Sequence, residues 1–437
     1  MKHRLLVSFI LFLASSSGPT AALNRVIVRD SLGLHGLQFT CLLVSCNIVN
    51  GVDGTLGQVF VVAPGPLNSV TTLLQKLVGQ IGVVDVEPDL LLRVTQQQTW
   101  TAPTGLWDTS PVSYYGTTAW DGYVNQPAVR ITNLRKAQSK NSFGVSGSGI
   151  VAVIDTGVDP THPVLQRVLV NGYDFTRNQW GGSELTDVNQ SMSGQNGDNP
   201  GWVNQSTMAV VNQSAESTFS QSQYAAFGHG TMVSGIVHLV APSAHIMPLK
   251  AFHTDGTGYL SDVLRALYFA TQNHASVINM SFDFQTSSTE LSKACRYATT
   301  HGVVLVASVG NNGQHVMVYP AGLSNVMGIA STTNNDTLSS FSNYGHPPVW
   351  VGAPGEGIIT LYPFGTYAAG WGTSFSAPFV SGTVALLRSI DTNLNQNSAS
   401  QAIARAKYVS SQLGYGRLDV YQAAAAWCRA SEHCQIQ

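Results

Sequence analysis

Charge is what this 437-residue sequence has least of. Only 10% of its residues are Asp, Glu, Lys or Arg, and 21 cationic side chains against 23 acidic ones leave a net charge of −2. A typical chain carries about a quarter charged residues, and the absence of any basic excess leaves no electrostatic footprint for nucleic acid or an anionic membrane. Ser, Thr, Asn and Gln must supply the polar surface instead. Cysteine is scarce too, five in all, so at most two bridges can form. Cys41 and Cys46 lie close together and Cys428 and Cys434 share the C-terminal tail, but spacing alone does not show whether either pair is joined. Cys295 is left over in a helical stretch and reads most simply as a buried thiol. Beyond the N-terminus no apolar run is long enough to span a bilayer, and no internal repeat is present.

Apolar residues make up 44% of the chain and glycine is plentiful at 42, enough for a sizeable core. The start, MKHRLLVSFILFLASSSGPTAALN, has a basic head, an apolar stretch over Leu5–Ala14 and small residues up to Ala22. That is the pattern of a secretory signal peptide over 1–22, and it implies an extracellular protein. Residues 23–97 read as a small α/β unit: RVIVR and GQVFVVAPG alternate as strands, LNSVTTLLQKLVGQI has helical spacing, and VVDVEPDLLLRV reads as a closing strand. TQQQTWTAPTG follows as an exposed connector open to cleavage.

From about residue 149 the pattern changes to short buried strands, GIVAVID, SVINMSF, VVLVAS and NVMGIAS. Amphipathic stretches LSDVLRALYFATQNHA and TELSKACRYATTHG fall between some of them. This alternation predicts a mostly parallel sheet covered by helices on both faces. Residues 176–226, rich in Ser, Asn, Gln and Gly, lack periodicity and read as a long surface insertion. Residues 426–437 form a tail.

A parallel sheet presents its chemistry at the carboxyl ends of its strands. GIVAVIDTGVDPTHP ends a strand at Asp155, either capping a turn or needing a partner as a poorly solvated carboxylate. FGHGTMVSGIVHL sets His229 between two glycines at the start of a buried helix, with its ring exposed and approachable. LVASVGNNGQ ends a strand in a turn that holds Asn311, which either makes the turn or aims its amide into the crevice. GWGTSFSAPFVSGTVALL places Ser374 at or just before a helix start, since Pro378 fits the first turn of a helix. Ser374 is then an N-cap or a nucleophile, and that stretch alone does not separate the two. Together these residues fit an activated nucleophile: Ser374 attacks a carbonyl, His229 takes its proton, and Asp155 holds the imidazole. Asn311 and the Ser374 N–H bind the oxyanion.

The blocks AVIDTGVD, GHGTMVSG, VINMSF, SVGNNG, SFSNYG, VGAPG, GTSFSAPFVSG and GYGRLDVYQAA resemble, in order, those of the subtilisin-like serine peptidases. The resemblance covers about residues 125–425. It implies a three-layer α/β domain over 98–425, a Ser-His-Asp endopeptidase with protein or peptide substrates, and no required cofactor. Asp155, His229 and Ser374 match the family's triad, Asn311 its oxyanion residue, and Ser376 a small structural position. Residues 23–97 resemble the family's inhibitory propeptide, an intramolecular inhibitor whose tail lies in the cleft until it is cut, and a monomer is expected. Substrate is expected to add as a strand between two edges, here Gly256, Thr257 and Gly258, and Ser281, Phe282 and Asp283.

Two other functions remain as rivals. A catalytically silent binding module of the same fold is disfavoured by the intact Asp155, His229, Asn311 and Ser374. An esterase-type hydrolase would need a G-x-S-x-G elbow and a later His, and the only His after Ser374 is His433 in the tail.

The chain departs from the family in two places. Asp283-Phe284 stands where Gly-Gly is usual, so Asp283 either recruits a basic or polar substrate residue or points to solvent and narrows the groove. The second departure concerns calcium. The run Asp159-Pro-Thr-His162-Pro163-Val164 ends in an apolar residue where relatives with a strong calcium site have a carboxylate, and GTMVSGIVHL passes almost directly into VAPSA, without the loop that completes that site. Calcium takes about six to eight oxygen ligands, and only Asp187 and Asp198 in the insertion are left for another site. Thermal inactivation is therefore expected to be nearly indifferent to EDTA. A large fall in melting temperature that calcium restores would overturn this reading.

Overall fold

The computed structural model describes residues 24–93, 101–188, 208–210 and 224–431. The leader, connector residues 94–100, Asp198, His433 and Cys434 lie outside them. The four apolar runs are the strands Ile150–Asp155, Val277–Met280, Val304–Ser308 and Met327–Thr332. They form the middle of an eight-stranded sheet. His245–Lys250, Tyr173–Asp174 and Gln179–Trp180 extend it on one side, and Val349–Pro354 on the other. Every neighbouring pair is parallel except the Gln179–Trp180 edge.

Both faces of this sheet are dry. Along one strand Val151 and Val153 enter one apolar cluster while Ala152 and Ile154 enter the other, which is why these runs show no polar alternation. Helices His229–Val240 and Thr373–Arg388 cover the first face, and Leu260–Gln272 and Thr289–Thr300 the second. The result is three layers, the subtilisin-like α/β architecture.

Residues 26–88 build a separate four-stranded antiparallel sheet in the order Cys46–Gly51, Val59–Pro64, Val26–Asp30, Val83–Pro88. Helices Gly33–Val44 and Val70–Leu77 pack on one face around Val28, Leu37, Phe60, Val62 and Leu73. The first helix escapes a periodicity reading because Leu34, Phe39, Leu42 and Leu43 are exposed. They mask its buried stripe of Leu37, Thr40, Cys41 and Val44. Cys41 and Cys46 are joined at its C-terminal end, Cys428 is also disulfide-bonded, and Cys295 is a buried free thiol.

The other face of the small sheet, with Ile27, Val59 and Val61, merges with the apolar cluster around helix Leu260–Gln272. Carboxylates complete the contact at two helix N-termini, where unpaired N–H groups and the helix dipole favour anions. Asp89 accepts from the Ser261 N–H at 2.9 Å and its hydroxyl at 2.8 Å. Glu87 accepts from the Ser288 hydroxyl at 2.5 Å and the Thr289 N–H at 3.0 Å. Arg29 grips Glu290 through three contacts of 2.9, 3.2 and 2.7 Å.

The structure differs from the sequence reading in three further places. The closing strand breaks at Pro88, the chain turns at Asp89, and Leu91–Arg93 leaves to pair antiparallel with Thr257–Tyr259. Segment 176–226 is not wholly a surface insertion. Gln179–Trp180 closes the sheet edge, Glu184 is fully buried, and 208–210 pairs with Thr366–Gly370. Finally, helix Val420–Ala430 runs through residue 425 with Trp427 and Cys428 buried, so the body of the domain continues past that point.

Candidate active site

Asp155 is the last residue of its strand and His229 the first of its helix. The structure brings them into direct contact: His229 Nδ1 lies 2.7 Å from Asp155 Oδ1, which also accepts the Thr156 N–H at 2.7 Å. The expectation of an exposed imidazole is corrected, because His229 is only 4% exposed. Its flanking glycines serve close approach rather than openness. A Cβ on Gly230 would lie 1.9 Å from the Gly157 carbonyl oxygen, and one on Gly228 2.2 Å from the Tyr362 ring. The buried Nε2 has no hydrogen-bond partner, which leaves that nitrogen available.

Ser374 is the second residue of helix Thr373–Arg388, whose N-cap is Gly372, so Ser374 is not the cap. Pro378 is not in the first turn either: it is the sixth residue of the helix. A proline there removes the N–H that would bond the carbonyl four residues back, which belongs to Ser374. That carbonyl is satisfied from outside the helix by the Ser281 hydroxyl at 2.8 Å. In return the Ser374 hydroxyl donates to the Ser281 carbonyl at 3.0 Å. The serine is thus clasped to the second expected substrate edge.

Asn311 faces the same helix start. Its Oδ1 accepts from the Thr373 N–H at 2.8 Å and the Thr373 hydroxyl at 3.0 Å, which orients the amide Nδ2 away from the backbone. The turn is braced by Asn343, which donates to the Val309 carbonyl at 2.8 Å and accepts from the N–H groups of Asn312 and Gln314, both at 3.1 Å. Neither Thr373 nor Asn343 had been singled out from the sequence, since a turn-bracing amide carries no periodic signal.

Of the first expected edge, Thr257 and Gly258 are engaged as a strand, while Gly256 lies in the turn before it, its N–H on the His253 carbonyl at 2.9 Å. Gly258 pairs with Leu92 and Thr257 with Arg93, both from this chain's own N-terminal unit. On the second edge Phe282 is buried against Phe252, with ring centroids 5.0 Å apart. Phe284 exchanges two backbone hydrogen bonds with Tyr319, at 3.0 and 2.8 Å. Asp283 does not project freely to solvent. It is half-buried, with Oδ2 2.7 Å from where a Cβ on Gly310 would stand, and burial pushes its carboxyl up to about 6.

Val164, at the position discussed for calcium, is buried in the apolar core. Asp159 accepts from Thr161 and from the Phe364 N–H. Asp187 is occupied by Lys250 and Arg177, so it is not free for a cation. Among the described residues no group of three or more His, Cys, Asp or Glu is placed to hold a metal ion.

A parallel sheet with an Asp–His pair at its carboxyl edge and a serine at a facing helix start defines the frame of a serine hydrolase. The subtilase family model matches residues 147–418, and the chain belongs to that family. It is 33% identical over 312 residues to a thermophilic serine proteinase of Bacillus sp. strain AK1, covering 70% of this chain and 68% of that one. Against thermitase of Thermoactinomyces vulgaris the identity is 33% over 267 residues, covering 58% and 81%. The fold resembles fervidolysin of Fervidobacterium pennivorans, a keratinolytic enzyme related to subtilisin, with a TM-score of 0.69 at 22% identity over 92% of this chain. The chain spans 61% of that structure's length. A cold-adapted subtilisin-like serine proteinase matches with a TM-score of 0.50 at 26% identity, covering 63% of this chain and 89% of that one. The protein is a serine endopeptidase, a hydrolase of peptide bonds in peptides or proteins that needs no cofactor for catalysis.

The clasp between Ser281 and Ser374 gives a stability prediction. In a Ser374→Ala background, which keeps the backbone carbonyl at 374, Ser281→Ala orphans that buried carbonyl and should cost about 1–3 kcal/mol in urea unfolding. An unchanged midpoint would show that the carbonyl finds another donor.

Proposed function

We propose that Asp155, His229 and Ser374 form the catalytic triad of a secreted endopeptidase that matures by cutting away its own N-terminal unit. The observation that carries this reading is the His229 Nδ1 contact with Asp155. A carboxylate there fixes the tautomer in which Nδ1 carries the proton and Nε2 is the base. Turning about its Cα–Cβ bond, the Ser374 hydroxyl exchanges the Ser281 carbonyl for Nε2. Catalytic hydrogen bonds that are loose without substrate commonly tighten when it binds.

As Ser374 Oγ attacks the peptide carbonyl, its proton passes to Nε2 and the imidazolium is stabilised by Asp155. Negative charge grows on the carbonyl oxygen, where Asn311 Nδ2 and the Ser374 N–H donate. Breakdown of the tetrahedral intermediate passes that proton to the leaving amine and leaves an acyl-enzyme. Water, activated by the same imidazole, then releases the acid.

The small unit over 23–97 acts in this reading as an intramolecular inhibitor, followed by the peptidase domain from 98, whose body runs past 425 through helix Val420–Ala430. Leu91–Arg93 supports it, because a strand added to the Thr257–Tyr259 edge occupies the kind of site an extended substrate uses. The leader over 1–22 supports export, and a monomer is the simplest assembly.

Ser374→Ala and His229→Ala should each abolish peptide hydrolysis and self-processing together, leaving a chain near 46.5 kDa less its leader. N-terminal sequencing of the exported wild type locates the junction. Undiminished hydrolysis by Ser374→Ala would overturn the mechanism.

Asp283 is assigned to substrate preference. Its carboxyl, raised to about 6 by burial, is neutral below that pH and charged above it. The ratio of kcat/KM for peptides with Arg before the scissile bond over the same peptides with Leu should therefore rise as pH climbs through 6. Asp283→Asn should flatten it. A ratio insensitive to pH in both proteins would remove Asp283 from specificity.

A further inference from the structure

Glu184 lies in the polar segment that the sequence assigns to no function, yet it is fully buried. Its backbone is tied in beside the loop that follows Asp155: the Val158 N–H donates to the Gly182 carbonyl at 2.9 Å, and the Glu184 N–H to the Val158 carbonyl at 3.1 Å. Its carboxylate gathers three donors. Oε2 accepts the Gly228 N–H at 2.7 Å and the Thr156 hydroxyl at 3.2 Å, and Oε1 accepts the Thr231 hydroxyl.

The direction of each bond is fixed by what lies behind it. The Thr156 oxygen accepts the Gly230 N–H at 3.0 Å and the Thr231 oxygen the Asp159 N–H at 2.7 Å, and since an ionised carboxylate can only accept, both hydroxyl protons point to Glu184. Thr156 directly follows Asp155, while Gly228 and Thr231 bracket His229. One carboxylate therefore holds together the two chain segments that supply the Asp–His pair, and neither segment contacts it by chance of sequence, being 28 and 44 residues away at Thr156 and Gly228.

We propose that Glu184 is a positioning residue for the Asp155–His229 pair, and that delivering it is a role of the 176–226 segment. This rests on the triad assignment above. The charged groups around Glu184 set its behaviour. Asp155 repels it from the strand end, and Lys250, fully buried on the adjacent strand, attracts it. Lys250 is itself fixed by the Thr156 carbonyl at 2.8 Å, the Phe252 carbonyl at 2.7 Å and Asp187 at 2.7 Å. Tyr362 faces Glu184 from the neighbouring hairpin, and its hydroxyl is raised by burial and by that negative charge. Burial pushes Glu184 up to about 8, against the pull of the Thr231 hydroxyl, the Gly228 N–H and Lys250. A carboxylate here adds to the field of Asp155 and favours the imidazolium. Protonating it changes the donor pattern: the carboxyl proton goes to the free lone pair of Thr156 or Thr231, and that hydroxyl must turn its own proton away.

The test compares wild type with Glu184→Gln, with rates expressed per active site titrated by a serine-directed inhibitor. An amide nitrogen facing the Gly228 N–H and the Thr156 hydroxyl cannot accept from them. kcat should fall about 10- to 100-fold, the range expected for a small misplacement of a catalytic base, with KM little changed. Glu184 gains its charge only as pH rises through about 8, so the wild-type kcat/KM profile should climb further there and Glu184→Gln should lack that step. If Glu184→Gln does not fold, Thr156→Val removes one donor of the three, raises Glu184 further, and should move that step to higher pH. A wild-type kcat per titrated site and a superimposable pH profile, in whichever variant folds, would overturn the positioning role. Activity persisting in Ser374→Ala would instead remove the triad reading on which it stands, so the two failures are distinguishable.

Discussion

A sheet covered by helices on both faces has no wet side, so its strands must be apolar along their whole length and can carry polar chemistry only where they end. This constraint organises the molecule. Asp155 closes the strand Ile150–Asp155, still buried at 3% exposure, and Asn311 lies in the turn beyond Val304–Ser308. The helices that cover one face then bring His229 and Ser374 to the same edge by their N-termini. Asp155 meets His229, and Asn311 meets the start of the helix that carries Ser374, because element ends converge at this edge.

At that edge the polar groups are satisfied by one another rather than by water. Pro378 leaves a carbonyl open inside a helix, Ser281 closes it, and Ser374 answers the Ser281 carbonyl. Thr373 holds Asn311, and Asn343 holds the turn around it. Buried polar networks of this kind specify one arrangement because each unpaired member would cost more than a paired one contributes. His229 Nε2 is left open in that network, as is the second Asp155 oxygen, Oδ2.

How much of this was legible in the sequence follows the range of each signal. Asp155 was readable because the apolar run before it dictates a buried strand, and the Ser374 segment because small residues precede a long apolar helix. Local signals misled where a distant partner decides. Pro378 looked like a first-turn residue because Ser281, 97 positions earlier by number, is what lets it sit deeper in the helix. Glycines beside His229 suggested exposure, while their neighbours, Gly157 and Tyr362, make them a matter of fit. Leu91–Arg93 read as a strand, but its partner was not visible. Glu184 had no signal at all: a single carboxylate in an aperiodic run, whose partners are hydroxyls and backbone N–H groups from other parts of the chain.

The pairing of Leu91–Arg93 with Thr257–Tyr259 has a kinetic consequence that follows from its being made within one chain. A segment joined to its target by a short connector meets it at an effective concentration of order millimolar, so a free peptide at micromolar level competes at a large disadvantage while the backbone is continuous. Under the proposed maturation, a single cut alters none of the contacts at Asp89, Glu87 or Arg29, yet it turns their occupancy into a bimolecular equilibrium. Latency then becomes a function of dilution: the same surfaces that keep the site filled in a crowded secretory compartment release it when the protein spreads into a larger volume.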